Sequence, residues 1–234
     1  EVYAIAQSRF GGYGSYGNGA ATRIAPIAIY YSHSWAECEK QVIESARLTH
    51  AHPLAIYGAL MIGRCVFNML QLRKDDVEKN LQEFLFEFLD DLHIMVMDTK
   101  IEARGSNTQE KLHADRDFMC RAIMEIFKFL DSRPWTYMSR DAEINFVQYN
   151  FGNGDNALRS VPAAIYSFLR GLYRNEGFEE MMIFASAVGG DSEQIVAMAG
   201  TIAGAYFGTD GIPTVWRESI HNGKMLESIA DRLD

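Results

Sequence analysis

Apolar residues return along this chain at the spacing of helix faces. Between residues 76 and 97, Val77, Leu81, Phe84, Leu85, Phe88, Leu89, Leu92 and Val96 recur so that one side of an α-helix would carry them all. Glu78, Lys79, Gln82, Glu83 and Asp90 stand between them as the wet face. The same spacing predicts helices over about 35–48, 54–71, 115–130, 157–171, 178–188 and 192–207, with weaker stripes at 20–31 and 222–233. Five prolines, at 26, 53, 134, 162 and 213, interrupt the pattern sparsely. No two alternating runs are joined by a two-residue turn, which removes the hairpin signal. The expected fold class is all-α.

Two stretches break the helical spacing. Gly11-Gly12-Tyr13-Gly14-Ser15-Tyr16-Gly17-Asn18-Gly19 cannot be a helix interior, and Ile101–Gln109, with Arg104-Gly105-Ser106-Asn107, reads as a polar connection. Neither shifts composition enough to mark a domain boundary and no repeat is found, so 1–234 is expected to be one helical domain. Hydrophobic residues at 48% against 23% charged exclude a largely disordered chain. Asp plus Glu outnumber Lys plus Arg by 31 to 22, and the resulting net charge of -9 disfavours direct binding to nucleic acid or to an anionic membrane. The expected partner is a small molecule or a protein. Arg64 interrupts the longest apolar run, near residues 57–72, so no membrane helix is expected. Cys38, Cys65 and Cys120 share no short spacing and draw no disulfide framework, which fits a reducing, intracellular compartment: cytoplasm, nucleus or mitochondrion.

The loop at 11–19 holds six Gly or Asn positions, which open the backbone to left-handed conformations and let successive N–H groups face a phosphate. A helix starting near Ala20 would add unpaired donors and a positive dipole end. The alternative is a mobile Gly/Tyr-rich loop. Gly12, Gly14 and Gly17 match a dinucleotide fingerprint by spacing, but no strand precedes them, so that reading is rejected. A second constellation is Gly189-Gly190-Asp191-Ser192-Glu193-Gln194 ahead of an apolar helical face. Asp191 and Gln194 could form a helix-capping pair, or Asp191 and Glu193 could offer hard oxygen ligands to Mg²⁺. Gly200 and Gly204 give a small face for helix packing, and His50 and His52 fall on different sides of a helix. No Gly-x-Ser-x-Gly nucleophile elbow occurs.

Four segments in series, Gly14–Ala25, Ala46-Arg47-Leu48-Thr49-His50-Ala51, Ser160–Arg170, and Gly189-Gly190-Asp191 followed by Met198–Gly208, resemble the ADP-ribosylglycohydrolase family, with the serine-specific ADP-ribosylhydrolases as the nearest branch. The resemblance runs from residue 10 to about 217. It implies an orthogonal all-α bundle that holds two Mg²⁺ ions, binds ADP-ribose and cleaves it from a modified protein or from another ADP-ribose unit. By position, Phe10 would face the adenine, Gly14, Ser15, Tyr16, Gly17 and Asn18 would cradle the diphosphate and adenosine, His50 would lie near the diphosphate or ribose, and Asp191 would ligate magnesium, with Glu193 and Gln194 in the other metal positions of that segment.

Two departures bear on activity. The family continues Gly-Gly-Asp with Thr-Asp-Thr, whereas this chain has Ser192-Glu193-Gln194, a longer carboxylate and an amide where Mg²⁺ demands tight octahedral geometry. The family's Thr-Asp-Asp-Thr motif and catalytic Glu precede the glycine loop, while Val2–Arg9 holds no acid run, so a catalytic residue is not assigned here. The expectation is that roughly the first third of the family's domain lies outside this sequence, and that this segment or a protein partner covers the apolar faces it would otherwise expose. Two functions are expected to compete: an Mg-dependent hydrolase acting on serine-linked ADP-ribose or poly-ADP-ribose, and an inactive relative that binds ADP-ribose or a nucleotide, or serves in a structural assembly.

Overall fold

A computed structural model describes residues 2–72, 77, 80–102, 104–132 and 137–232. In chain order the helices are α1 (Ala4–Ser8), α2 (Gly19–Thr22), α3 (Ala25–Tyr30), α4 (Trp35–Arg47), α5 (Pro53–Gln71), α6 (Leu81–Asp98), α7 (Gln109–Ser132), α8 (Arg140–Asn150), α9 (Ala157–Tyr173), α10 (Phe178–Ala187), α11 (Ser192–Phe207), α12 (Thr214–Ser219) and α13 (Gly223–Ala230). Among the described residues there is no strand; an isolated antiparallel bridge joins Gly17 to Asn156. The all-α class read from the apolar spacing is the observed one. Glu78, Lys79 and the stripe's start at 76 lie outside the described residues, as does the end of the last weak stripe at 233.

Helix starts follow local side-chain chemistry. Ser34, Asn80, Ser139 and Asn156 each place an oxygen on the backbone N–H three residues on, which satisfies donors that a first turn leaves unpaired. His52 does the same for α5, its Nδ1 accepting from Leu54 N at 3.2 Å ahead of Pro53 in the first turn.

Helix α5 is apolar around most of its circumference, and α2, α3, α4, α7, α9 and α11 all pack on it. Its 19 residues are long and apolar enough to span a membrane, contrary to the sequence expectation, yet most are buried inside the protein as a core helix. Arg64 sits in it because its guanidinium binds Asp91 through Nε at 2.7 Å and Nη2 at 2.5 Å and lies 4.6 Å over the Trp35 ring.

Three elements depart from the periodicity. The 20–31 stripe is broken into α2 and α3 at Arg23–Ile24, so α2 is a single turn and the expected helix dipole behind the glycine loop is lost. Helix α7 begins six residues before the predicted start, with Leu112 as the buried apolar residue in that added turn. Helix α8 was not predicted, because Glu143, fully buried, takes a core position where an apolar residue would have signalled a helix. Its carboxylate accepts from Tyr166 Oη at 2.6 Å, Arg170 Nε at 3.1 Å and Arg174 Nη2 at 2.9 Å. Helices α10, α11 and α12 bound an apolar groove of about 840 Å³, lined by Phe178, Met182, Ile183, Val196, Trp216 and Ile220.

Candidate functional site

The glycine loop is fixed by its carbonyl groups. Gly11 O accepts from Ser106 Oγ at 2.8 Å, Gly12 O from Gln7 Nε2 at 2.8 Å and Ser106 N at 2.9 Å, and Tyr13 O from Asn107 Nδ2 at 3.0 Å. Ser15 O then accepts from His52 N at 3.4 Å and Tyr16 O from Ala157 N at 3.0 Å. Gly14 adopts φ +76°, and a Cβ there would stand 2.7 Å from the Ala51 Cβ, so glycine alone fits against the start of α5. With the carbonyls turned into the protein, the N–H groups of Ser15 and Tyr16 have no partner among the described residues, while Gly17 N binds Ser15 Oγ at 3.2 Å. Free successive amides on a braced loop are the arrangement an anion-binding concavity needs.

Side chains close this corner from two directions. Phe10 and Tyr16, both well exposed, stand with ring centroids 5.8 Å apart, and the Tyr16 ring meets His52 edge-on at 5.9 Å. The His50 Nε2 atom lies 3.3–3.4 Å from where side chains on Gly17 and Gly19 would start, which places the imidazole directly against the loop. Burial, assisted by Arg23, lowers the His50 pKa and keeps the ring neutral. Thr49 Oγ1 accepts from Arg23 Nη2 at 2.9 Å and lies 2.8 Å from His50 Nδ1, a pairing in which either atom can be the donor. His50 therefore presents its Nε2 edge to the loop.

The second constellation meets the first. Asn18 is buried, and its Nδ2 donates to Ser160 Oγ at 3.0 Å and to Asp191 Oδ2 at 2.6 Å, consuming both amide protons. The backbone repeats the connection: Asn18 N donates to Asp155 O at 2.9 Å and Asp191 N to Asn153 O at 2.8 Å. Gly190 has φ +63°, and a Cβ there would stand 2.1 Å from Asn153 O, so the Gly-Gly step is what lets α11 start against this strap. Asp191 occupies the N-cap position but makes no side-chain cap bond, so the expected capping pair with Gln194 is not formed; its Oδ2 binds Asn18 instead. Glu193 is exposed and Gln194 half-buried, and neither side chain has a hydrogen-bond partner among the described residues.

Sequence reading left Asn153 and Asp155 unnoticed, and it met Ser160 only inside a resemblance segment, His52 only beside His50 and Ser106–Asn107 only as a polar connection, although all touch the loop or its anchor. For Asn153 and Asp155 the available signal was the Gly152-Asn153-Gly154-Asp155-Asn156 run, a turn composition.

Comparison with known proteins supplies the family. The profile of the ADP-ribosylglycohydrolase family matches residues 2–234. The chain belongs to that family. Human ADP-ribosylhydrolase ARH3 is 32% identical over 242 residues, covering 100% of this chain and 61% of its own length. The zebrafish (Danio rerio) ARH3 is also 32% identical, over 244 residues. The ADP-ribosyl-[dinitrogen reductase] glycohydrolase of Rhodospirillum rubrum is 23% identical over 203 residues, covering 87% of this chain and 50% of its own. A solved ADP-ribosylglycohydrolase-related protein complex superposes with a TM-score of 0.63 at 21% identity, over 93% of this chain and 59% of that one, and shares the fold. The chain thus spans about three fifths of the length of the ARH3 relatives.

Membership makes magnesium a group to test against these side chains. A divalent ion of this kind takes several oxygen ligands. Among the described residues no group of three or more His, Cys, Asp or Glu is placed to hold a metal ion, Asp191 Oδ2 is bonded to an amide N–H, and Glu193 faces solvent. The described residues of this family member do not complete a magnesium site.

Proposed function

We infer that this chain binds ADP-ribose in the corner formed by the glycine loop and the start of α11, and that it is the ligand-binding portion of a hydrolase that releases ADP-ribose from modified protein. The observation that carries this reading is the Asn18–Asp191 bond at 2.6 Å, which brings together two segments 173 residues apart in the order the family resemblance requires. In this reading the free Ser15 and Tyr16 amides and the His50 Nε2 edge hold the diphosphate, while Phe10 and Tyr16 offer aromatic surface to the adenine. Burial and Arg23 lower the His50 pKa, and in this reading a bound diphosphate would act against that shift. The substrate class proposed is O-linked ADP-ribose on serine, or poly-ADP-ribose.

A second reading, binding without turnover, is favoured by the carboxylates. Cleavage of a glycosidic bond ordinarily needs an acid and a partner carboxylate or metal at the anomeric centre. Asp191 is engaged by Asn18, and Glu193 is turned to solvent. Calorimetric titration with ADP-ribose, paired with an assay on serine-ADP-ribosylated peptide, tests both readings. Saturable binding with release of ADP-ribose supports the hydrolase, binding with no release supports the reader, and no binding ends both.

A further inference from the structure

Arg47 closes helix α4 and is, with Arg170, a buried arginine among the described residues. Arg170 shows what this fold does with such a charge: its Nε donates to Glu143 at 3.1 Å, its Nη1 pairs with Glu176, and its guanidinium lies over the Phe184 ring. Arg47 has no comparable partners. Its side chain is only 8% exposed, it makes no hydrogen bond among the described residues, and its ion pair is a loose 3.8 Å contact with Glu44. Glu44 in turn accepts from the Tyr3 hydroxyl. Five guanidinium N–H donors are thus left without a protein acceptor. None of the Arg47 nitrogens is among the described polar atoms that are sealed from solvent and unpartnered; they open into a cleft of about 470 Å³ between α4 and the segment that follows α6.

The cleft gathers further positive charge. Lys40, Lys100 and Arg104 line it with Arg47, while most of its carboxylates are already engaged. Glu39 accepts from Thr99 Oγ1 at 2.6 Å and Glu102 from Arg104 Nη2 at 2.9 Å, which leaves Asp98 as the lining carboxylate with no partner among the described residues. Burial, and then the charge of Arg104, pull the Arg47 pKa down, the mark of like charges brought near each other.

We propose that this cleft is a second binding site, for an oxyanion of the phosphate class held by the Arg47 and Arg104 guanidinium groups. A guanidinium fork matches two oxygens of such a group at once, and the cleft leaves room for the molecule that carries it. The site is separate from the ligand corner and does not rest on the ADP-ribose reading. It does adjoin the glycine loop through the backbone: Gln7 Nε2 donates to Gly12 O at 2.8 Å and to Arg104 O at 3.1 Å.

The test follows the arginine Nε–H signals of the isotope-labelled 234-residue chain during titration with inorganic phosphate at constant ionic strength, with acetate and ADP-ribose titrated in parallel. Arg47 and Arg104 are expected to move saturably with phosphate at a dissociation constant of about 1–10 mM, and about fivefold more weakly with acetate. Arg47→Gln should weaken phosphate by about tenfold, and Arg47→Lys, which keeps the charge but loses the fork, by less; ADP-ribose affinity should stay within about twofold in both. Arg104→Gln, at a more exposed position, supplies the same reading on the Arg47 signal should Arg47→Gln fail to fold. A motionless Arg47 in phosphate, equal affinity for phosphate and acetate, or unchanged phosphate affinity in the Gln variants overturns the proposal. ADP-ribose shifting Arg47 together with Ser15 and Tyr16 merges the cleft with the corner and overturns the second site.

Discussion

Two buried polar clusters hold this molecule, and they differ in whether their hydrogen bonding is finished. Around Glu143 no buried side-chain polar atom of the described residues lacks a partner: the carboxylate takes Tyr166, Arg170 and Arg174, Arg170 also pairs with Glu176, and its guanidinium lies 4.0 Å over the Phe184 ring. Around the glycine loop the account stays open. Among the described residues the Ser15 and Tyr16 amides have no partner, and the buried Asp115 Oδ2 has no hydrogen bond and lies 3.9 Å from both His52 Nδ1 and Lys111 Nζ. A closed polar cluster ties helices together; an open one, braced from behind and carrying spare donors, is built to meet something else.

The largest effect expected from breaking this contrast lies in the closed cluster. Glu143→Ala leaves two guanidinium groups without their shared carboxylate and should cost about 3–5 kcal/mol in chemical denaturation. ADP-ribose affinity measured on the folded fraction should be little changed, since none of these groups touches the loop. A large loss of affinity at full folding would erase the distinction between the clusters.

Next comes acid. Burial, with a smaller contribution from Lys111, depresses the His52 pKa from 6.5 to about 4. As pH falls, the unfolded chain therefore takes up this proton before the folded one does. Stability is full above about pH 6.5, falls between 6.5 and 4, and levels off below, a total of about 3 kcal/mol at roughly 1.4 kcal/mol per unit. Asp115, raised by burial, works in the opposite sense at the acid end of this window. His52→Asn keeps an acceptor for Leu54 N and should flatten the fall in a urea titration across that range; an unchanged profile would place its cause elsewhere.

Smaller effects belong to the open cluster itself. Gly190→Ala puts a methyl group against Asn153 O at a left-handed backbone, so about 1–3 kcal/mol of strain is expected, with ADP-ribose affinity falling further than overall stability does. Tyr16→Ala removes an exposed ring and should weaken ADP-ribose by about 0.5–1.5 kcal/mol with the melting temperature nearly unmoved. Equal losses of stability and affinity in both variants would show the corner to be structural.

How much of this was legible in the residues depends on which atoms carry each feature. Helices α4, α5, α6, α9, α10 and α11 announce themselves because their buried faces are apolar side chains at regular spacing. Helix α8 does not, since its buried anchor is Glu143, a residue whose partners sit 23 to 31 positions away. The glycine loop was visible as composition, and Asp191 as part of a motif. Their meeting was not derivable from either alone, because the strap between them is made of backbone carbonyls at Asn153, Asp155 and Asn156, which no side-chain pattern records. The local expectation for Asp191, a helix cap, is likewise not met, and its Oδ2 binds a tertiary partner instead.

The central claim is that the loop and the start of α11 form one ligand corner. Amide chemical shifts of the isotope-labelled chain, followed during titration with ADP-ribose, test it most directly. The account predicts saturable shifts concentrated at Ser15, Tyr16, Gly17, Asn18 and the backbone near His50 and Asp191. Shifts confined to the apolar groove around Met182 and Trp216, or none at saturating ligand, would contradict it.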